Sequence, residues 1–307
     1  MLGLQRAPAS KPPRGDWVTP GEARWGLYLT LPVMLLFLVL KVAPVVYAGY
    51  LSFTEYSLLQ PPEFTGFDNY VRLMSDARAL TSFRVTIIYT LGTVIPATAL
   101  SLGIAVMLDK KLQGMSIFRT VFYMPQVASW VAIGVAWLYL MNPAFGPLNY
   151  LLTQFGLPRQ PLLNSPTQAL PALIGIGIWR QLGYSTVIFL AGLQGIPTHL
   201  KEAAIMDGAS AFRRFREVTF PLLLPTTMFV FVTGMIFNLQ VFDQVVVLTG
   251  GGPGRSTYTT VLFIFDQAFI SFSMGYAAAV AVILFLMIMV LSVGVLWWSG
   301  QLRAGKK

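Results

Sequence analysis

The reading of this chain turns on Lys201-Glu202-Ala203-Ala204-Ile205-Met206-Asp207-Gly208-Ala209-Ser210, which continues through Phe212-Arg213-Arg214-Phe215-Arg216-Glu217-Val218-Thr219-Phe220-Pro221. It is the longest strongly charged segment in a 307-residue chain that is 55% hydrophobic and 11% charged. Soluble domains carry about 25% charged residues, so this composition belongs in lipid. Apolar segments flank the charged stretch on both sides, which makes it a loop at one membrane face. The chain contains no cysteine, which excludes a disulfide framework, a thiolate metal site and a cysteine nucleophile. With His199 as its one histidine, a multi-histidine metal site or a Ser-His catalytic pair is not expected. The net charge of +9 reads as Lys and Arg held on one membrane face, not as a nucleic-acid surface.

Outward from the loop, six segments reach the ~20 mostly apolar residues that a spanning helix needs. They cover 27–53, interrupted by Lys41 and Pro44, then 85–108, 120–141, 169–194 with Arg180, 222–248 with Asp243, and 274–298. Barrel strands are about half that length and alternate polar with apolar residues. The expected fold class is therefore an all-α membrane protein with six transmembrane helices. Residues 1–24, rich in Pro and basic residues, are expected to be a flexible cytoplasmic tail and not a cleaved signal.

The basic residues set the orientation. Fourteen flank the N-terminal tail (Arg6, Lys11, Arg14, Arg24), the 109–119 loop (Lys110, Lys111, Arg119), the 195–220 loop (Lys201, Arg213, Arg214, Arg216) and the C-terminal tail (Arg303, Lys306, Lys307). Five flank the opposite side: Arg72, Arg78, Arg84, Arg159 and Arg255. Both termini and the quoted loop are thus expected to be cytoplasmic. The outer loops, 54–84, 142–168 and 249–273, are dense in Pro and Gly and read as turns. They serve either as plain connectors or as a surface that receives a partner.

Within the cytoplasmic loop, Thr198 follows Pro197 as an expected N-cap. Leu200, Ala203, Ala204 and Asp207 then share a helical face, on which the two small alanines let another surface approach closely. Gly208 suits the position just past a helix end, where a left-handed backbone favours glycine. Ser210 can cap a second helix, with Ala211, Phe215 and Val218 on one face. Pro221 and Pro225 are expected to stop or kink it. The residues alone leave two readings open: a docking element that carries a push into the membrane domain, or an amphipathic interfacial helix.

A resemblance separates the two. Glu202-Ala203-Ala204, Gly208, Val218 and Pro221 keep the spacing of the EAA loop of ABC-importer permeases, with Phe220 in place of the family's Leu. Phe118-Arg119-Thr120, Met124-Pro125, Trp137 and Asn142-Pro143 through Gly146 and Asn149 are similar to carbohydrate-importer permeases of the maltose/glycerol-phosphate type. So are Phe242-Asp243, Leu248 through Gly254, and Thr257. The resemblance covers roughly residues 25–300. It implies the type I ABC importer permease fold in a prokaryotic inner membrane, with a coupling loop at 195–221 and a C-terminal cytoplasmic tail at 301–307. It also implies a second homologous permease, two copies of an ATPase that bind ATP and Mg, and an extracytoplasmic solute-binding protein. In the family's motif, Glu202, Ala203, Ala204, Asp207 and Gly208 would make the ATPase contact.

Nothing in the chain supplies its own energy source. The glycine run 250–254 lacks the G-x-x-x-x-G-K-[ST] spacing of a phosphate loop, and Gly175-Ile176-Gly177 lacks a third glycine. No catalytic residue, metal site, cofactor or nucleic-acid partner is expected, so the chain reads as a non-catalytic permease. A stand-alone secondary transporter would show inverted hydropathy repeats or paired membrane carboxylates, and neither is visible. Ionisable residues inside spans mark pathways or partners. The candidate solute residues are Trp179, Arg180 and Tyr184 in the fourth segment and Asn238, Gln240, Asp243 and Gln244 in the fifth. They carry the aromatic face and hydrogen-bonding groups that a sugar site needs. Hydrogen bonding to the second permease is an equal alternative for them. Since Lys41 and Arg180 are the only cations within spans, a neutral mono- or oligosaccharide is favoured over glycerol-phosphate, and a polyol stays open as an alternative.

Overall fold

The computed structural model describes residues 20–57, 59–109 and 115–298. Residues 1–19 of the expected N-terminal tail, the whole expected C-terminal tail 301–307 and the basic residues Arg6, Lys11, Arg14, Lys110, Lys111, Arg303, Lys306 and Lys307 lie outside them. Five helices are long and apolar enough to cross a membrane: Arg24–Leu51, Ala77–Leu108, Ala169–Gln194, Ala211–Leu239 and Met274–Val295. A sixth crossing is a broken pair, Thr120–Val127 and Trp130–Leu140, bent by 105°. The all-helical six-span fold stands, but two expected rods are interrupted. The third is broken near Ala128. The fifth ends at Leu239, and Asp243–Leu248 is a separate short helix.

The chain divides into two units, residues 1–50 and 51–307. In the first unit, helix Pro20–Phe37 runs into a single wide turn, Leu38–Val42, before helix Ala43–Leu51. Pro44 explains the wide turn. Proline offers no N–H and crowds the carbonyl four residues back, and an extra residue in the turn relieves both problems. The Ala43 N–H bonds to the carbonyl of Leu38 instead. Lys41 lies in that turn and is exposed.

In the second unit, helix Ala77–Leu108 starts two turns before its apolar run because Asp76 caps it. One Asp76 carboxylate oxygen accepts from the N–H groups of Arg78 (2.8 Å) and Ala79 (3.4 Å). The other accepts from the Tyr276 hydroxyl at 3.0 Å, and the Arg72 guanidinium lies 4.2 Å over the Tyr276 ring. Burial by itself pushes the Asp76 carboxyl up. The Arg78 N–H, the Tyr276 hydroxyl, the Ala79 N–H and the Arg78 charge together outweigh burial and hold it below the usual aspartate value.

The core of the second unit is the packing of Ala77–Leu108 against Ala169–Gln194. The first helix buries a row of short hydroxyls, Ser82, Thr86, Thr90, Thr93, Thr98 and Ser101. Thr93 meets Gly177 and Ser101 donates to the Leu182 carbonyl (3.3 Å) of the other helix, while Thr86 bonds Thr260 (3.0 Å). Apolar burial does not drive helices together in lipid, so small residues and short hydroxyls serve there. At Gly183 an added Cβ would stand 1.8 Å from the Phe122 carbonyl oxygen. The third and fourth spans therefore cross with backbones in contact.

Helix Ala211–Leu239 passes Pro221 and Pro225 without stopping, so of the expected stop or kink the stop does not occur. A wide turn at Phe215–Thr219 absorbs Pro221, with the Phe220 N–H bonded to the Phe215 carbonyl. The three loops dense in Pro and Gly, 54–84, 142–168 and 249–273, also hold more regular structure than that content suggests. They contain an antiparallel hairpin (Thr54–Ser57 with Gln60–Phe64, Thr54 opposite Phe64) and helices Asp68–Ser75, Pro147–Gln154 and Thr260–Phe265. Pro147 sits at a helix's first position, where a missing N–H costs nothing.

Two outcomes are expected. Gly183→Val should destabilise the folded protein by about 2–3 kcal/mol through overpacking. Gly103→Ala, with nothing within 4 Å of the new atom, should not, as read by thermal unfolding in detergent. Asp76→Asn should lower the unfolding midpoint at neutral pH. Because the folded carboxyl is held low, the difference from wild type should be full above the ordinary aspartate pKa. It should shrink as pH falls through the lowered one.

Candidate functional site

The two interruptions face one another across a cavity of about 380 Å³, within the size range of small-ligand pockets. The fourth span supplies Arg180, Gln181, Tyr184 and Ser185 from the middle of its length. The broken third span supplies Gln126 and Trp130, and the second supplies Tyr89. The end of the fifth span and the segment after it supply Asn238, Gln240, Asp243 and Gln244.

Arg180 holds the break in the third span. Its Nε donates to the Pro125 carbonyl (3.3 Å), and one terminal nitrogen donates to those of Gln126 (3.4 Å) and Ala128 (3.5 Å). These belong to the end of helix Met115–Val127, where carbonyls lack intrahelical partners. The guanidinium carbon lies 4.0 Å over the Trp130 ring. Beyond the break, the Ser129 hydroxyl accepts the Val131 N–H at 3.3 Å and starts the next helix.

At the fifth span the four polar residues behave differently. Asn238 donates to the Gln181 side chain (2.9 Å) and to the Gly234 carbonyl (2.8 Å). Gln244 is fully buried: its oxygen accepts from the Tyr89 hydroxyl (2.6 Å), and its nitrogen donates to the Leu173 carbonyl (2.7 Å). Gln240 and Asp243 are exposed at the cavity wall, with no ion pair between Asp243 and Arg180 among the described residues. Four residues apart, Gln240 and Gln244 would share a face of one continuous helix, but the helix ends at Leu239 and a new one starts at Asp243. One is a free amide and the other a buried strut.

Six of the seven candidate solute residues thus meet at one cavity. Trp179 does not line it, and instead meets Trp137 edge-on at 5.4 Å. Sequence reasoning passed over Tyr89, Gln126, Trp130 and Gln181. Gln181 adjoins Arg180 and was within reach, but the other three lie in uncharged apolar runs and become visible only once the break is known. Among the described residues, no group of three or more His, Asp or Glu could hold a metal ion.

The charged loop forms the second feature. Helix Thr198–Met206 begins at Pro197, so Thr198 is its first residue and not its cap. Gly208 has φ +73°. The Gly208 N–H bonds to the Ile205 carbonyl (2.9 Å) and the Ala209 N–H to that of Ala204 (3.0 Å), the paired bonds of a Schellman ending. Ser210 caps the next helix through the Arg213 N–H at 3.3 Å, and that helix is continuous with the fifth span. Lys201 pairs with Asp109 at 3.0 Å, tying the loop to the end of the second span. Glu202, Ala203, Ile205, Met206, Asp207 and Phe212 are all exposed. Met206 is 86% and Phe212 72% accessible, an unusual apolar display beside a free carboxylate.

Residues 97–298 match the family described as binding-protein-dependent transport system inner membrane component. The chain belongs to that family. It is thus a multi-pass inner-membrane permease of the ABC importer type, a transmembrane component and not an enzyme. It is 36% identical over 230 residues to the sn-glycerol-3-phosphate transport system permease protein UgpA of Agrobacterium fabrum, covering 75% of this permease and 78% of the relative. It is 31% identical to the trehalose/maltose transport system permease protein MalF of Thermococcus litoralis (87% and 91% covered). With the multiple sugar-binding transport system permease protein MsmF of Streptococcus mutans it shares 33% (88% and 93%). A chain of a bacterial ABC transporter that imports the acidic polysaccharide alginate has the same fold. Its TM-score is 0.80 at 22% identity, over 93% of this permease and 98% of that chain.

If Gln244 is a strut, Gln244→Leu should cost the permease about 1–2 kcal/mol of stability by taking the acceptor from the buried Tyr89 hydroxyl and removing the extra bond to the helical Leu173 carbonyl. Gln240→Leu should leave the thermal unfolding midpoint unchanged.

Proposed function

We propose that this permease carries a neutral mono- or oligosaccharide, and that a separate ATPase drives it through the loop 195–221. The observation that carries the solute class is the state of the cavity's polar groups. Its free groups include the Gln240 amide and the Asp243 carboxylate, with the Gln126 amide and the Tyr184 hydroxyl on the same wall and the rings of Trp130 and Tyr184 lining it, while its cation is already engaged by three backbone carbonyls. A carboxylate accepts sugar hydroxyls, an amide both donates and accepts, and aromatic rings cover the apolar face of a pyranose. The trehalose/maltose and multiple-sugar relatives support this reading.

A second reading, glycerol-phosphate or another polyol phosphate, draws on the 36% identity to a glycerol-phosphate permease. A phosphate would call for a free cation, and the wall of this cavity offers Asp243 instead.

For energy coupling, the charge bias puts both termini and the loop in the cytoplasm. Partners would be a second homologous permease, two ATPase copies holding ATP and Mg, and an extracytoplasmic binding protein. The exposed face with Glu202, Ala203 and Asp207, ended by Gly208, would receive the ATPase. Closure of the ATPases would push helix Thr198–Met206, and the spans would rock so that the cavity opens alternately to each side.

The tests are direct. With the transporter reconstituted from all its subunits, labelled neutral sugars should be taken up in preference to glycerol-phosphate. Asp243→Asn should raise KM for the sugar about tenfold, the scale of one charge-assisted hydrogen bond. Glu202→Lys should abolish uptake and ATPase association while leaving membrane insertion intact, and normal uptake by that variant would remove the coupling assignment. Gradient-driven flux through this permease alone would favour a secondary transporter.

A further inference from the structure

We infer that Arg180 is a positioning residue. It clamps the break of the third span and fixes the Trp130 ring as a wall of the cavity, and does not itself bind the solute. The inference deepens the proposed function and rests on it for the identity of the solute, but the geometry stands without a solute.

Three observations converge. The guanidinium donates to three carbonyls, of Pro125, Gln126 and Ala128, at 3.3–3.5 Å. These bonds are long, so no single one dominates. What they share is a positive charge set against the carbonyl end of helix Met115–Val127, where the helix dipole is negative. The same guanidinium lies 4.0 Å over the Trp130 ring, on the far side of the break. One planar group therefore touches both halves of the interrupted span and holds their 105° bend. Lipid provides no substitute partner for those carbonyls, and a Lys ammonium lacks the flat fork that spans them while stacking on an indole. Trp130 is half-buried and lines the cavity, so its orientation is a property of the solute site.

The test uses the assembled transporter and two readouts. Since this chain has no native cysteine, a Gln126→Cys thiol reports from the cavity wall when a hydrophilic maleimide is added and the permease band is resolved on a gel. Arg180→Gln and Arg180→Lys should each change that labelling rate by about threefold or more without any solute, because the break relaxes. For whichever solute the wild type carries, both should raise KM about tenfold while the maximal rate stays within about threefold. Unchanged labelling together with a raised KM would make Arg180 a direct ligand and overturn the inference. So would an Arg180→Lys variant that matches wild type in both readouts, since charge alone would then suffice. Should neither Arg180 variant assemble, Trp130→Leu removes the ring under the guanidinium. It must then shift the labelling of Gln126→Cys, and an unchanged rate overturns the inference. If no sugar is transported at all, the solute class is wrong, and the labelling result still decides the role of Arg180.

Discussion

Lipid accepts no hydrogen bond, so a helix can be interrupted inside it only where protein or a polar cavity takes over the abandoned backbone groups. This permease interrupts two spans, near Ala128 and after Leu239, and turns both toward the same space. The Arg180 guanidinium covers the carbonyls released by the first break. The second break turns Gln240 and Asp243 outward from the helical repeat. The cavity and its free polar groups are the product of where the chain stops being helical.

Around the breaks, the scaffold is held by closeness more than by strong bonds. Interhelical hydrogen bonds in membranes average about 0.6 kcal/mol, so pairs such as Asn238 with Gln181 orient side chains but do not stabilise the bundle on their own. The approach of the spans at Gly183, where backbone meets backbone, brings many dispersion contacts into range at once. The buried row of Ser and Thr on the second span does the same with short side chains.

Much of this was legible in the sequence. Span number followed from length and apolarity. Gly208 and Ser210 announced their turn and cap, because both depend on chemistry within five residues. The breaks were not legible, for the opposite reason. Ala128 and Ser129 carry no strong stop signal, and what holds them is an arginine 55 positions away. The fifth span ends without glycine, at a residue whose neighbours are Leu239 and Val241. With both spans read as unbroken rods, nothing in the sequence marks Trp130 as a cavity residue, and Trp179 is expected at a cavity it does not line. In the other direction, Pro221 carries a stop-or-kink signal, but a single wide turn is enough to take the helix past it without a stop.

That absorbed proline leaves one uninterrupted rod of 29 residues from Ala211 to Leu239, roughly 43 Å long at 1.5 Å per residue. Its near end grows out of the Gly208 turn, and its far end stops where Gln240 begins. A rod of that length is a lever. A tilt of about 10° around its midpoint carries each end through about 4 Å in opposite senses, more than a hydrogen bond can follow. In such a lever the loop and the cavity wall are two ends of one beam, and a modest displacement of one re-registers the other with no chain of side-chain contacts between them.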